Sequence, residues 1–175
     1  GTFDTGLSFK VDLVNALRTI GLLFGWSDKS VINVGGILAY ALALLAIISV
    51  CFLKKEWKAV TLVTLIVILT PAFNFYYAMS YVAIPAIIFL NAREKDKSSY
   101  LFAILFSILL SPAFITRMLE INQSSTGKYG LSVMSMIQNM ILVVLYIWLI
   151  AEGWVQFVRS RTKKPVTSAD TAAIA

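Results

Sequence analysis

The stretch that decides the fold is residues 54–97, KKEWKAVTLVTLIVILTPAFNFYYAMSYVAIPAIIFLNAREKDK, a long apolar run with basic residues at both of its ends. As one straight helix its uncharged part would measure roughly 48 Å at ~1.5 Å per residue, whereas the hydrocarbon core of a bilayer is ~30 Å thick. Basic residues beside apolar runs mark the cytoplasmic side of a membrane protein. Because both ends are basic, the pattern predicts a helical hairpin whose apex, near Pro71–Asn74, lies on the outer face.

The composition extends this prediction to the whole chain. Of the 175 residues, 59% are hydrophobic and only 14% are charged, whereas a soluble domain is roughly half apolar and a quarter charged. We therefore predict an all-α polytopic membrane protein with about five transmembrane helices, two of them short and forming the hairpin. Its single membrane domain, residues 1–158, contains predicted spans at 31–53, 59–72, 75–90, 99–116 and 131–158.

The segment 8–26 has a different pattern from the spans. Its apolar side chains recur at helical spacing on one face, and Asp12, Asn15 and Thr19 fall on the other face. This pattern is typical of an amphipathic helix that lies in the membrane interface. We therefore expect an interfacial helix before the first span.

The charges also predict how the chain is threaded. With the apex of the hairpin outside, ten of the fifteen lysines and arginines fall on the cytoplasmic side. The N-terminal segment and the polar loop RMLEINQSSTGKYG (117–130) are then outside, and residues 159–175 form a basic cytoplasmic tail that we expect to be disordered. The net charge of +6 is explained by these clusters, so we do not expect nucleic acid as a partner.

Several kinds of chemistry have no residues to support them. The chain has no histidine and a single cysteine, Cys51, which excludes histidine-based catalysis and intramolecular disulfides from this stretch. We find no glycine-rich phosphate loop, no metal-ligand cluster and no close pair of carboxylates on the outer face. The sequence therefore predicts no catalytic residue, no metal site and no identifiable cofactor within this chain.

Polar and aromatic side chains surround the predicted apex: Asn74, Tyr76, Tyr77, Ser80 and Tyr81. Tyrosine is enriched at membrane interfaces, so one interpretation is an aromatic belt. The other is a polar lining for a site that opens outward. Tyr77 and Tyr81 share a helical face with Asn74, which favours the second interpretation slightly.

Three basic residues, Lys10, Arg18 and Arg117, lie on the outer side in this threading. Such residues commonly extend to lipid phosphates at the interface. For Arg117, which directly follows the predicted span 99–116, the alternative is that it holds the phosphate of a lipid-linked substrate, which suits the bidentate geometry of arginine.

The last apolar run contains two amides and one carboxylate, Gln138, Asn139 and Glu152. Amides within a span most often bond to a neighbouring helix, and we expect this of Gln138 and Asn139. Glu152 lies near the cytoplasmic end of the run, and we expect it at the interface.

The run KKEWKAVTLVTLIVILTPAFNFYYAMSYVAIPAIIFLN, with SFKVDLVNALRTIGLLFG before it and FAILFSILLSPAFI after it, resembles the C-terminal part of bacterial glycosyltransferase family 87, of the GT-C class. In that family an outer segment that starts with Ser and contains an Arg precedes a span. A short helix ending in Pro, an aromatic-rich apex and a second Pro-containing helix follow. Ser8, Arg18, Pro71, Tyr77 and Pro85 stand at these places, and FNFYY replaces the SW and HY that family members often have near the apex.

The resemblance implies a polyprenyl-phosphate sugar donor, commonly of mannose, a glycan or lipid acceptor, and transfer on the outer face of the bacterial plasma membrane. GT-C enzymes carry their essential acidic residue in the first outer loop, near the N-terminus of the whole protein. Since the chain begins with Gly1 and not with Met, we expect a C-terminal fragment that lacks this loop and supplies part of the donor pocket. The candidate substrate-binding residues are Lys10, Arg18, Asn74, Tyr76, Tyr77 and Arg117.

Two other functions remain open on the residues alone. One is a different handler of lipid-linked glycans, either a flippase, which would carry paired charges within its spans, or a polymerase, which would have a large arginine-rich outer loop. Apart from Glu152 the predicted spans carry no charge, and the outer loop 117–130 has one arginine and one lysine. The other function is a membrane subunit or scaffold without catalytic residues.

Overall fold

The computed structural model describes residues 10–71, 76–93, 97–111, 118–123 and 127–162. Within these residues, six α-helices, a 3₁₀ helix and two strands follow one another: α1 (Leu13–Leu23), α2 (Asp28–Val50), α3 (Glu56–Leu69), the 3₁₀ helix (Tyr76–Val82), α4 (Ala83–Asn91), α5 (Lys97–Leu109), β1 (Met118–Gln123), β2 (Gly127–Ser132) and α6 (Val133–Thr162). Two of these helices, α2 and α6, are long and apolar enough to cross a membrane.

Small residues on one face of α2 turn toward the rest of the protein. Its buried residues are Val31, Gly35, Ala39, Ala43, Ala46 and Ser49. A stripe of small residues lets two helix backbones approach closely. On α6, Gly153 meets this stripe, because a Cβ added there would lie 2.7 Å from both the Cβ and the carbonyl oxygen of Ser49.

The other face of α2 is apolar and exposed. Val34, Ile37, Tyr40, Leu44 and Ile47 are each more than half exposed. An uninterrupted apolar surface of this length is unusual on a soluble monomer, where large patches are rare.

The segment that contains α3 and α4 folds back on itself. Trp57, near the start of α3, packs with its ring centroid 4.9 Å from that of Phe89, near the end of α4. The same tryptophan lies 4.7 Å from Phe102 in the first half of α5. The start of α3, the end of α4 and the start of α5 therefore meet at one end of the helical body.

Polar contacts join the helices at the opposite end. The Gln138 amide nitrogen, on the first turns of α6, donates to the carbonyls of Ile108, Leu109 and Ser111 at 3.0, 3.3 and 2.7 Å. The first two carbonyls belong to the end of α5 and the third follows it, so the amide lies over the C-terminal end of this helix. The expectation that Gln138 bonds to a neighbouring helix is confirmed, and Asn139 makes a longer contact of 3.4 Å to the carbonyl of Asp12.

The predicted all-α architecture is confirmed for the helical body, and the segment predicted as a polar loop contains a short β-hairpin. There β1 and β2 pair antiparallel, in a register that runs from Met118 opposite Ser132 to Gln123 opposite Gly127. The sequence LEIN alternates apolar and polar residues, which favours a strand over a helix.

The N-terminal helix also differs from its prediction. It covers only Leu13–Leu23 of the predicted 8–26, and Gly25, with φ of 70°, adopts the left-handed conformation that follows its end. Asp12, Asn15 and Thr19 are buried and do not face outward. Their side chains bond to nearby backbone, as when the Thr19 hydroxyl donates to the Asn15 carbonyl at 2.9 Å. Local hydrogen bonds of this kind lower the cost of burying polar side chains. The helix α1 lies against both α2 and α6.

The remaining predicted boundaries shift by a few residues. The helices α3 and α5 end at Leu69 and Leu109, before the predicted ends of spans 59–72 and 99–116. In the predicted tail, residues 159–162 continue α6, and residues 163–175 lie outside the described residues.

Candidate functional site

Two tyrosines of the predicted apex stand exposed on the 3₁₀ helix. Tyr77 and Tyr81 are 67% and 46% exposed, while Ala78, Met79 and Val82 between and after them are buried in the core. The buried residues fix this helix against α3, α4 and α5. The Ser80 hydroxyl donates to the Tyr77 carbonyl at 2.7 Å, which uses its donor locally.

The second predicted element, Arg18, is buried and ion-paired. Its Nε and Nη2 donate to the two carboxylate oxygens of Asp28 at 2.7 and 2.9 Å. This bidentate pair ties α1 to the first residue of α2. Because Arg18 is buried and two of its guanidinium nitrogens bond to Asp28, it acts in this structure as a bridge between the two helices.

The other predicted site residues are only partly described. Lys10 is half-buried, and its carbonyl accepts a hydrogen bond from the Asn15 amide at 2.8 Å. Tyr76 begins the 3₁₀ helix, and Asn74 and Arg117 lie outside the described residues. The described residues among them therefore lie on two parts of the helical body, since α1 packs on α2 and α6 whereas the 3₁₀ helix packs on α3, α4 and α5.

Sequence reasoning passed over a buried carboxyl group, that of Asp12. It is 1% exposed, and its Oδ1 accepts a hydrogen bond of 2.6 Å from the Asn15 backbone N–H, which caps the start of α1. Its Oδ2 is buried with no hydrogen-bond partner among the described residues. Burial raises the pKa of this carboxyl above its ordinary value of 3.8, against the opposing effect of the Asn15 hydrogen bond and the Lys10 charge.

The raised pKa gives a testable pH dependence. A carboxyl group whose pKa is higher in the folded than in the unfolded chain binds more protons when folded, so its contribution to stability is lost as the pH rises through the folded pKa. Asp12→Asn keeps a helix-capping side chain and removes the ionisation. We expect it to flatten the decline of the unfolding free energy with pH above 3.8, as measured by detergent-induced unfolding across a pH series. A variant with the same pH profile as the parent would contradict this expectation.

Sequence reasoning also missed an ion pair between α3 and α6. The Lys58 ammonium lies 2.7 and 2.8 Å from the two carboxylate oxygens of Glu152. It also stands 5.4 Å from the ring centroid of Trp57 and 5.5 Å from that of Phe102. The prediction that Glu152 lies at the interface did not include Lys58 as its partner. The available signal was the placement of one acid and one base at the same predicted depth.

Within the described residues, no group of three or more acidic or cysteine side chains is placed to hold a metal ion. Comparison of the chain with protein-family models, with curated proteins and with solved structures finds no match.

Proposed function

We propose that the helical body is embedded in a bilayer and crosses it five times, with the 3₁₀ helix at the outer face. The exposed apolar faces of α2 and α6 support this placement, because side chains such as Ile37, Leu44 and Val144 are more than half exposed and would lie against lipid. The excess of basic residues near the ends of helices supports the orientation.

The short helices need a thin or deformed bilayer in this proposal. At ~1.5 Å per residue, α3 and α5 each extend only about 20 Å, compared with a hydrocarbon core of ~30 Å. Local thinning and extended flanking side chains accommodate such a mismatch at modest cost. The α3–α4 hairpin would then bring its polar apex down into the outer headgroup region.

The threading predicts which positions an impermeant thiol reagent reaches. In a Cys51→Ala background, we expect Tyr77→Cys to be labelled from outside intact cells. Asn91→Cys, which lies at the opposite end of α4, should be labelled only after the membrane is made permeable. Labelling of both positions from outside would rule out the hairpin, and labelling of position 91 alone would reverse the orientation.

Within this membrane placement, we propose that the chain is the C-terminal part of a glycosyltransferase that moves a sugar from a polyprenyl-phosphate donor to a glycan or lipid acceptor on the outer face. The observation that carries the proposal is the pair of exposed tyrosines, Tyr77 and Tyr81, on a helix that the core holds in place. A tyrosine combines a flat apolar ring with a hydroxyl that donates and accepts hydrogen bonds. This combination suits the mixed polar and apolar faces of a sugar.

The test is sugar transfer by the full-length protein in membranes, with polyprenyl-phosphate mannose as donor. We expect Tyr77→Ala or Tyr81→Ala to lower kcat/KM about tenfold, which corresponds to ~1.4 kcal/mol of lost transition-state stabilisation. Tyr40→Ala is the matched control, because Tyr40 is equally exposed but lies in the middle of α2. Equal activity of the three variants and the parent would exclude the tyrosines from the site, and absence of transfer by the parent would overturn the proposed reaction.

A second candidate function is a handler of lipid-linked glycans that moves its substrate across the membrane and performs no transfer. The observation that favours it is the Lys58–Glu152 pair, because paired charges inside membrane helices commonly mark substrate or ion pathways. Vesicles that contain the protein and a fluorescent polyprenyl-phosphate sugar distinguish the two functions. Movement of the label between leaflets would support this second candidate.

A further inference from the structure

An open cleft of about 490 Å³ lies at the end of the body where the start of α3 meets the end of α4. Its polar lining includes the side chains of Lys54, Lys55 and Arg93, and its apolar lining includes Trp57, Ile87 and Ile88. In the threading proposed above this end faces the cytoplasm. The cleft is therefore separate from the tyrosine-bearing 3₁₀ helix at the other end.

The electrostatics of the cleft favour an anion. Among the described residues that line it, three are cationic and one, Glu56, carries a carboxylate. The cleft also adjoins the N-terminus of α3, where Lys55 is the N-cap and no side chain caps the helix. The start of a helix carries a partial positive charge and backbone N–H groups that attract anions.

An apolar surface leads away from the cleft along α4. Ile84, Ile87 and Leu90 recur at three-residue spacing and are each more than half exposed. Ile87 belongs both to the cleft and to this apolar row. A ligand with an anionic head and a long apolar tail could therefore bind with its head in the cleft and its tail along the exposed row of α4.

We propose that this cleft binds the headgroup phosphate of an anionic phospholipid, with the acyl chains along the exposed row of α4. Basic pockets between membrane helices on the cytoplasmic side are known to hold such headgroups. The Trp57 side chain, whose buried indole N–H has no hydrogen-bond partner among the described residues, forms the inner wall. The assignment rests on the membrane placement and is independent of sugar transfer.

The experiment measures binding of fluorescent phosphatidylglycerol to the full-length protein in neutral detergent micelles. We expect Lys54→Gln/Arg93→Gln to raise the Kd about 20-fold, since each basic group near an anionic headgroup contributes roughly fivefold. Arg159→Gln/Arg161→Gln is the matched control, because it removes the same charge from exposed residues of the last turn of α6. An equal loss in this control, or equal affinity of the parent for phosphatidylcholine, would overturn the site.

A variant with higher affinity provides a further test, because misfolding would lower the affinity for the lipid and not raise it. Glu56→Gln removes the carboxylate that the described residues contribute to the cleft, and we expect it to lower the Kd about fivefold. Inorganic phosphate is the competitor that distinguishes a lipid from a free anion. We expect it to displace the lipid only at large molar excess, and displacement at equal concentration would overturn the assignment to a lipid.

Discussion

Gly153→Ala is expected to destabilise the protein by about 1–3 kcal/mol, the usual cost of adding a methyl group to a closely packed interface. A Cβ at this position would lie 2.7 Å from the Cβ and carbonyl oxygen of Ser49 and 3.0 Å from its Cα. Carbon atoms in contact prefer a separation of about 3.5–4.0 Å. Two of these three atoms belong to the backbone of α2, so the methyl group can be accommodated only if α2 and α6 move apart.

Gly36→Ala is the matched control for this substitution. Gly36 lies on α2 itself, and no atom would be within 4 Å of an added Cβ. Alanine is favoured over glycine in a helix by roughly 0.8–1 kcal/mol, so this variant should equal or exceed the parent in stability. Detergent-induced unfolding followed by circular dichroism compares the two, and equal midpoints for the two variants would show that α2 and α6 do not pack as described.

The second large effect is expected at the buried ion pair of Lys58 and Glu152. Their side chains are 5% and 22% exposed, and the Gln156 amide donates a further hydrogen bond of 3.2 Å to the same carboxylate. Loss of one member of a buried pair leaves an uncompensated charge and costs about 3–5 kcal/mol. We expect Glu152→Met to lower the unfolding free energy more than Lys58→Met does. Lys58 is the more deeply buried partner, so its ammonium gains no water when the carboxylate is removed.

A double-mutant cycle separates the pair from the packing around it. Lys58→Met/Glu152→Met replaces both charges with flexible apolar side chains, and we expect it to recover most of the loss to within ~1 kcal/mol of the parent. Glu56→Gln, an exposed acid on the same turn of α3, controls for a general effect of charge and should change the unfolding free energy by less than ~0.5 kcal/mol. Additive losses in the double variant would mean that the two side chains are not coupled.

The long helices and the turn in the decisive stretch could be predicted because their signals are local. The runs 31–53 and 131–158 contain most of α2 and α6. An apolar run bounded by charges predicts both the length of a helix and the positions of its ends. Pro71 likewise predicts a helix end within two residues of Leu69, where α3 stops.

The side-chain partners could not be predicted, because they depend on contacts between distant parts of the chain. Lys58 and Glu152 are 94 residues apart, and the sequence around either residue does not indicate that the other is its partner. Arg18 was predicted as a substrate-binding residue because the charge pattern and the resemblance place it on the outer side, whereas its pairing with Asp28 depends on how α1 packs against α2. The burial of Asp12 was missed for a similar reason, since helical periodicity separates two faces but does not say how many of them are covered.

The helix α6 follows α2, α3 and α5 in the sequence, and this order has a consequence for synthesis. This helix supplies the partner for Lys58, the amide that caps α5 and the glycine that lies against the small-residue face of α2. All three of the earlier helices leave the ribosome before their partner is made. Until α6 is made, Lys58 lacks its carboxylate partner, the end of α5 lacks the Gln138 amide, and the small-residue face of α2 is uncovered. A chain truncated before Val133 should therefore be degraded faster in the cell than the parent, because the contacts that α6 supplies are never made.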